Sequence, residues 1–317
     1  GGADRYPEGS PEERRRIFEA HRSYNLGLLY FLQNDPEVPS AIRNEAREWG
    51  LAKDEFEEDG HFPPHLYVRE ARRITGEYVF REQDTQMSAE SIRAPLQRDS
   101  VAISTFTLNC HGEQAPGPVY SNVTEGDFVA QTQPFQVPYR VMVPRKISNL
   151  LVPVAVSATH VGFSAIRMEP TWTALGQAAG LAAHLALRDR VPGKDVPVDQ
   201  VQSLLHEHGA NTVYVGDVLA GHPQYKLVQF FGTRGYLHPV VDKSTYAWEP
   251  PRRRYGLMYS YAMANHEAGL DKPLDQRLKA SWDELTRSSS SCTPPATAAT
   301  RGEYLEQIYP CMIATKK

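Results

Sequence analysis

Residues 149–180 constrain this chain more than any other stretch. Leu150-Leu151-Val152-Pro153-Val154-Ala155-Val156 is an apolar run without alternation, the pattern of a strand covered on both faces, as in a parallel sheet. Its Pro153 suits only a sheet edge or a bulge. A polar loop over 157–164 follows, carrying Ser157, Thr159, His160, Gly162 and Ser164 to the carboxyl end of that strand, where open α/β sheets bind ligands. Arg167-Met168-Glu169 then leads into a helix over 170–187, with Pro170 suited to its first position. The backbone N–H groups of Thr171 and Trp172 would point out of that helix start, beside the positive end of its dipole. Gly176 and Gly180, with Ala179 and Ala183 close by, leave one helix face without bulk. That face suits a close-packed crossover helix or the approach of a cofactor.

Upstream, residues 11–33 read as a helix, with Ser10 as N-cap and Pro11 in the first turn. Ile17, Tyr24, Leu28 and Phe31 fall on one face, and Asn34-Asp35-Pro36 ends it. A second helix is expected over 40–49, closed by Gly50, and a third over 66–78 with Arg69, Arg72 and Arg73 outside its apolar set. From Ser100 the texture turns to β: 101–108, 119–120, 128–131 and 135–143 are rich in β-branched and aromatic residues. After Pro192, short helices are expected over 198–208 and 223–232, then a Ser/Thr-rich linker over 288–300 and a last helix from Thr300. The organisation expected is 1–145 as a substrate or cap region (helical over 10–80, β-rich over 100–145), 146–209 returning to a cofactor domain, and 210–317 as a helical extension.

Composition narrows the function classes. A net charge of −4 on 317 residues, without a dominating block of one sign, argues against a nucleic-acid partner. No apolar stretch reaches the roughly 20 residues of a membrane span. Cys110, Cys292 and Cys311 lack the spacing of a metal site, and no metal is expected. Cys292 and Cys311, both in the final segment, are either a disulfide formed in an oxidising compartment or two unrelated thiols.

Five segments in one order resemble the FAD-dependent oxidoreductase family, whose flavin domain is of the glutathione-reductase and succinate-dehydrogenase kind. They are residues 27–32, 49–56 and 66–73, Pro138-Tyr139-Arg140, and 149–180 with Arg167-Met168-Glu169-Pro170 and Gly176-Gln177-Ala178-Ala179-Gly180. Some similar bacterial proteins carry the label xanthan lyase. The resemblance implies an α/β fold with an α+β substrate region, the C-terminal part of a two-domain FAD/NAD(P)-binding-like fold, followed by a small helical module. It implies FAD as cofactor, with Ser157, Thr159, Gly162, Arg167, Met168, Glu169, Thr171, Trp172, Gly176, Gln177 and Ala178 lining it. It also implies a substrate pocket beside residues 66–73. None of the 22 glycines forms G-x-G-x-x-G, the turn that grips the cofactor pyrophosphate. The chain is therefore expected to need an N-terminal dinucleotide-binding segment as partner. Residues 222–236 and 300–303 resemble halves of a surface-layer-homology module.

Flavin oxidation of an alcohol needs a base for the hydroxyl proton. His160 is the first candidate, also readable as a histidine satisfied by backbone carbonyls, and His111 is the second. Arg167 would pin an anionic substrate or the flavin edge, or else pair with Glu169. Arg69 and Arg73, four apart, would hold phosphate, carboxylate or sugar hydroxyls, unless they pair with Glu70 or Glu77. Tyr139 and Arg140 complete the substrate set. The expected activity is hydride transfer from a small, carbohydrate-like alcohol to flavin; the competing expectation is a non-catalytic binding or surface-attachment protein on a flavoprotein-derived scaffold.

Overall fold

The structure is a computed structural model that describes residues 5–68, 70–87, 91–110, 128–241 and 266–314. The described chain forms two compact units, one running to Arg72 and one starting at Arg73.

In the first unit, α1 (Pro11–Asn34) begins as its sequence dictates. The Ser10 hydroxyl accepts the Glu13 N–H at 3.2 Å and proline opens the first turn, satisfying donors that the helix start leaves over. The second helix, α2 (Ser40–Ala46), stops three residues short of the expected end. Gln33 explains this: its Nε2 donates to the carbonyls of Ala46 and Trp49, both at 2.9 Å, so a side chain of α1 takes the acceptor that a further turn would use. Of the apolar face expected on α1, only Ile17 is buried; Tyr24, Leu28 and Phe31 are 70%, 45% and 46% exposed.

Two small antiparallel sheets lie in the second unit. Strand β1 (Ser100–Ser104) pairs with β4 (Phe135–Pro138), setting Ile103 opposite Gln136. Strand β2 (Leu108–Cys110) pairs with β3 (Phe128–Ala130), setting Asn109 opposite Val129. Against them pack α3 (His160–Ile166), α4 (Glu169–Asp189) and α5 (Val198–Glu207). Helix α4 places Leu175, Ala178, Ala182 and Leu185 in the core, steps of three, four and three residues that keep one face inward. They meet Val101, Val137, Met142, Phe163 and Ile166, all buried. The result mixes helices with small sheets, in keeping with an α/β class. Among the described residues no helix is long and apolar enough to cross a membrane.

Three expectations need correction. The described residues of 66–78 are not a helix. The Ile74 and Glu77 N–H groups donate to the carbonyls of Ala155 and Val143, at 3.0 and 2.9 Å, and Phe80 N–H to Ser157 at 3.0 Å. Tertiary pairing overrides helix propensity here, and Gly76 permits it: a Cβ there would sit 2.7 Å from Ser157 Cβ. Residues 150–156 are not a strand covered on both faces. Leu150 and Val154 are 41% and 47% exposed, and pairing is reduced to scattered bonds such as Val152 N–H to Met142 O at 2.9 Å, as Pro153 would impose. Finally, the polar loop expected over 157–164 gives way at His160 to α3, which runs on to Ile166.

A second aromatic core gathers α6 (Tyr225–Gly232), α7 (Gln276–Ser289) and α8 (Arg301–Ala314) around Phe231, Tyr236, Trp282 and Tyr304, all fully buried. The Trp282 indole donates to Tyr236 O at 2.6 Å, so the largest buried side chain keeps its polar atom paired. Cys292 and Cys311 form a disulfide with Cα atoms 5.9 Å apart; of the two expectations, the bridge holds. It closes a loop with a sequence separation of 19, so its reduction should lower stability by about 3 kcal/mol through the entropy regained by the unfolded chain. Denaturant midpoints with and without reductant, with Cys292→Ser as control, measure this.

Candidate functional site

The candidate residues gather at the two ends of α3, a helix of seven residues. Thr159 starts it. Its Oγ1 accepts the Gly162 N–H at 3.0 Å, while its own N–H donates to Phe80 O at 2.9 Å. The Thr159 hydroxyl is thus a helix cap. His160, the next residue, brings Nε2 to 3.0 Å from the sulfur of Cys110 at the end of β2. At the other end Arg167 follows the last residue of α3. It is 3% exposed, and its Nη2 donates to the carbonyl of Asn109 at 3.2 Å. The ends of α3 therefore both reach the last two residues of β2.

Arg167 is the electrostatic centre. Among the described residues it makes no ion pair, with Glu169 or any other carboxylate, and its Nε is buried without a hydrogen-bond partner. A buried cation is costly unless something compensates it. Helix α4 begins two residues later with its positive end at the same place. Met168 is the N-cap and its carbonyl accepts the Trp172 N–H at 3.1 Å; the expectation that this N–H points outward is therefore corrected, and Pro170 occupies the second position, not the first. Thr171 is 6% exposed with Oγ1 at 3.4 Å from Ser104 Oγ. The Trp172 indole N–H is a second buried donor without a partner among the described residues, its ring 6.4 Å from that of Phe163.

Other expected site residues are placed differently. Ser157 is buried, its N–H on Val141 O at 2.9 Å and its carbonyl taken by Phe80. Gly162 packs against the backbone of Phe80. Ala178 lies in the core, Gln177 is exposed, and a Cβ on Gly176 or Gly180 would meet open space. The small-residue face of α4 is thus not packed against other described residues at these two glycines.

The described members of the substrate set each have a partner within the fold. Tyr139 is 1% exposed and donates its hydroxyl to Gly193 O at 2.8 Å; burial pushes that phenol up to about 12. Arg140 forks onto Asp99 at 2.8 and 3.2 Å and lies over the Tyr78 ring; the Asp99 hydrogen bond raises its pKa above the ordinary value. Arg73 stands over the ring of Phe163, 5.3 Å from its centroid. It is not on a helix, so the four-residue spacing to Arg69 does not put both on one helix face. Arg69 and His111 lie outside the described residues. The residue that sequence reasoning missed is Cys110: it lies 50 positions from His160, and no local pattern could join them.

Two clefts, of about 510 and 380 Å³, border α5 and Arg234. Neither is lined by His160, Arg167 or Trp172.

Sequence comparison decides the family. The FAD dependent oxidoreductase family matches residues 2–205, well over half of the chain. The chain belongs to the FAD dependent oxidoreductase family. No curated protein and no solved structure matches it. As a member of the FAD dependent oxidoreductases it has FAD as its cofactor. The match ends within α5, so the aromatic core and the disulfide lie beyond it. The residues present fit the cofactor: Arg167 Nε and Trp172 Nε1 are buried donors lacking acceptors among the described residues, and an isoalloxazine edge is rich in acceptors.

Proposed function

We propose that this FAD dependent oxidoreductase oxidises a small, carbohydrate-like alcohol, using the surroundings of α3 and the start of α4 as its flavin edge. The observation that carries the reading is Arg167, a buried cation without a carboxylate partner among the described residues, set beside the positive end of α4. When bound, FAD supplies the hydride acceptor at N5. Arg167 and the α4 start would hold the N1–O2 edge, where negative charge collects on reduction, and would favour that reduced state. Trp172 would donate its indole N–H to the same ring system. His160 would take the hydroxyl proton from the substrate, with Thr159 fixing the helix start that carries it. The reading leaves the grip on the pyrophosphate to a dinucleotide-binding segment with G-x-G-x-x-G, which this sequence does not contain.

Production of the chain together with such a segment tests this. The folded product should absorb near 450 nm, the flavin band. Arg167→Met should weaken FAD binding about tenfold or more, the loss of one charge-assisted contact. A folded but colourless complex sinks the reading.

A further inference from the structure

We propose that Cys110 is held as a thiolate and serves as the positioning residue for His160, in the role that a buried carboxylate plays behind many imidazole bases. The inference about the base rests on the proton-accepting role given above to His160; the charge state of the sulfur stands independently of it.

Geometry comes first. Sγ of Cys110 and Nε2 of His160 are 3.0 Å apart, a close approach for a hydrogen bond to sulfur. The sulfur is fully buried. Burial alone would keep a thiol neutral, so a thiolate needs compensating positive charge and a donor. Both are present. Arg167 is 3% exposed, has no carboxylate within ion-pair distance among the described residues, and donates to the carbonyl of Asn109, the residue that precedes Cys110. An anion at Cys110 gives that guanidinium a counter-charge that no described carboxylate supplies. In the proposed state the donor is His160 Nε2–H, across the contact of 3.0 Å.

Among the described residues, the other charged groups around the pair do not supply that counter-charge. Strand β3, paired with β2, has no titratable side chain in Phe128–Ala130. The short turn Glu82–Thr85 packs on α3; its Asp84 accepts the Tyr78 hydroxyl at 2.6 Å and the Arg81 N–H at 2.8 Å, and its Glu82 is exposed. Arg73 lies over the Phe163 ring, adding positive charge. Glu169 at the start of α4 is exposed.

The consequence is a fixed tautomer. With Nε2–H donating to the thiolate, the imidazole lone pair falls on Nδ1, which is then the atom that receives a substrate proton. The resulting imidazolium keeps its Nε2–H on the negatively charged sulfur and is stabilised by it. Only a proton moves; the sulfur is neither oxidised nor bonded to the substrate.

With Cys292 and Cys311 joined, Cys110 is the remaining cysteine of the three, so thiolate absorbance near 240 nm reports on it alone. The chain without flavin is titrated beside Cys110→Ser, and the difference between the two is read. The expected midpoint lies at least one unit below the ordinary thiol value of about 8.5. His160→Gln and Arg167→Met should each raise it by about one unit, a tenfold change in the thiolate equilibrium. A difference spectrum that stays flat up to about pH 8 overturns the proposal. A second measurement needs no substitution: ring-nitrogen NMR of His160 in the unaltered chain should show the proton on Nε2 near pH 7.5, and a proton on Nδ1 overturns the proposal equally. Because neither experiment contains FAD, failure here leaves the flavin reading intact, while a colourless complex in the earlier test leaves the thiolate untouched.

Discussion

Lowering the pH from 7 to 5 should cost the folded chain about 5 kcal/mol, through three histidines that the fold holds neutral. Burial is the first cause for each. It pushes His206 and His238 down to about 4 and His266 down to about 3. The positive charges of Arg234 and Lys226 add to this at His206, and that of Arg93 at the other two. Arg93 is itself buried and committed to the carbonyls of Tyr214, Leu237 and His266, at 2.7, 3.2 and 3.3 Å. It cannot withdraw when a proton arrives nearby. The sign follows from comparing the two states. At pH well above about 6.5 the histidines are neutral folded and unfolded alike, and their environment contributes nothing to the pH dependence. Below that value the unfolded chain binds protons that the folded chain refuses, until the folded values near 4 and 3 are reached. At pH 5 each histidine therefore contributes up to about 2 kcal/mol of loss. Domains of ordinary stability hold roughly 5–15 kcal/mol, so unfolding should set in not far below pH 5. Urea midpoints from pH 8 to pH 4.5 should be level at the upper end and fall steeply at the lower. His266→Gln should recover about 2 kcal/mol of the loss at pH 5. Equal midpoints at pH 7 and 5 would show that these imidazoles are not held neutral.

Much of this molecule could be read locally, and the failures have one cause. Helices α1, α4, α5 and α8 announce themselves through capping residues, proline in the first turn or apolar spacing, all properties of neighbours in sequence. Residues 66–78 have the composition of a helix, yet Ile74, Glu77 and Phe80 give their N–H groups to residues 143–157. That preference is decided by partners some 70 positions away. The opposite error arose at 150–156, where an apolar run promised a covered strand and Pro153 left only isolated bonds. At the site, His160 and Arg167 stand out by their place between a strand-like run and a helix start. Cys110 does not, because its meaning comes from a contact across β2 and α3. Tyr139 and Arg140 illustrate the reverse: a motif match marked them for substrate, whereas Gly193 and Asp99 already engage them.

Gly162 and Gly176 carry the same sequence expectation, a place where a cofactor comes close, and the structure separates them sharply. An ideal Cβ on Gly162 would lie 2.5 Å from Phe80 O and 2.9 Å from both Phe80 C and Arg81 Cα. These are backbone atoms, which cannot rotate away as a side chain can. Nor is the Phe80 segment at liberty to retreat, since its N–H donates to Ser157 O at 3.0 Å and its carbonyl accepts from Thr159 N–H at 2.9 Å. Relief must come from moving α3, which carries His160 at one end and is followed by Arg167 at the other. Gly162→Val should therefore cost about 4 kcal/mol, above the usual 1–3 kcal/mol of overpacking because no flexible group can yield. The thiolate signal of Cys110 should be lost with it, as Nε2 and the guanidinium leave their partners together. On Gly176 the added carbon meets nothing within 4 Å, and Gly176→Ala inside α4 should stabilise by up to about 1 kcal/mol through helix propensity alone. Denaturant midpoints of the two variants thus move in opposite directions. If Gly162→Val proves as mild as Gly176→Ala, the close approach of α3 to Phe80 is wrong, and with it the mechanical link that makes one helix govern both the imidazole and the guanidinium.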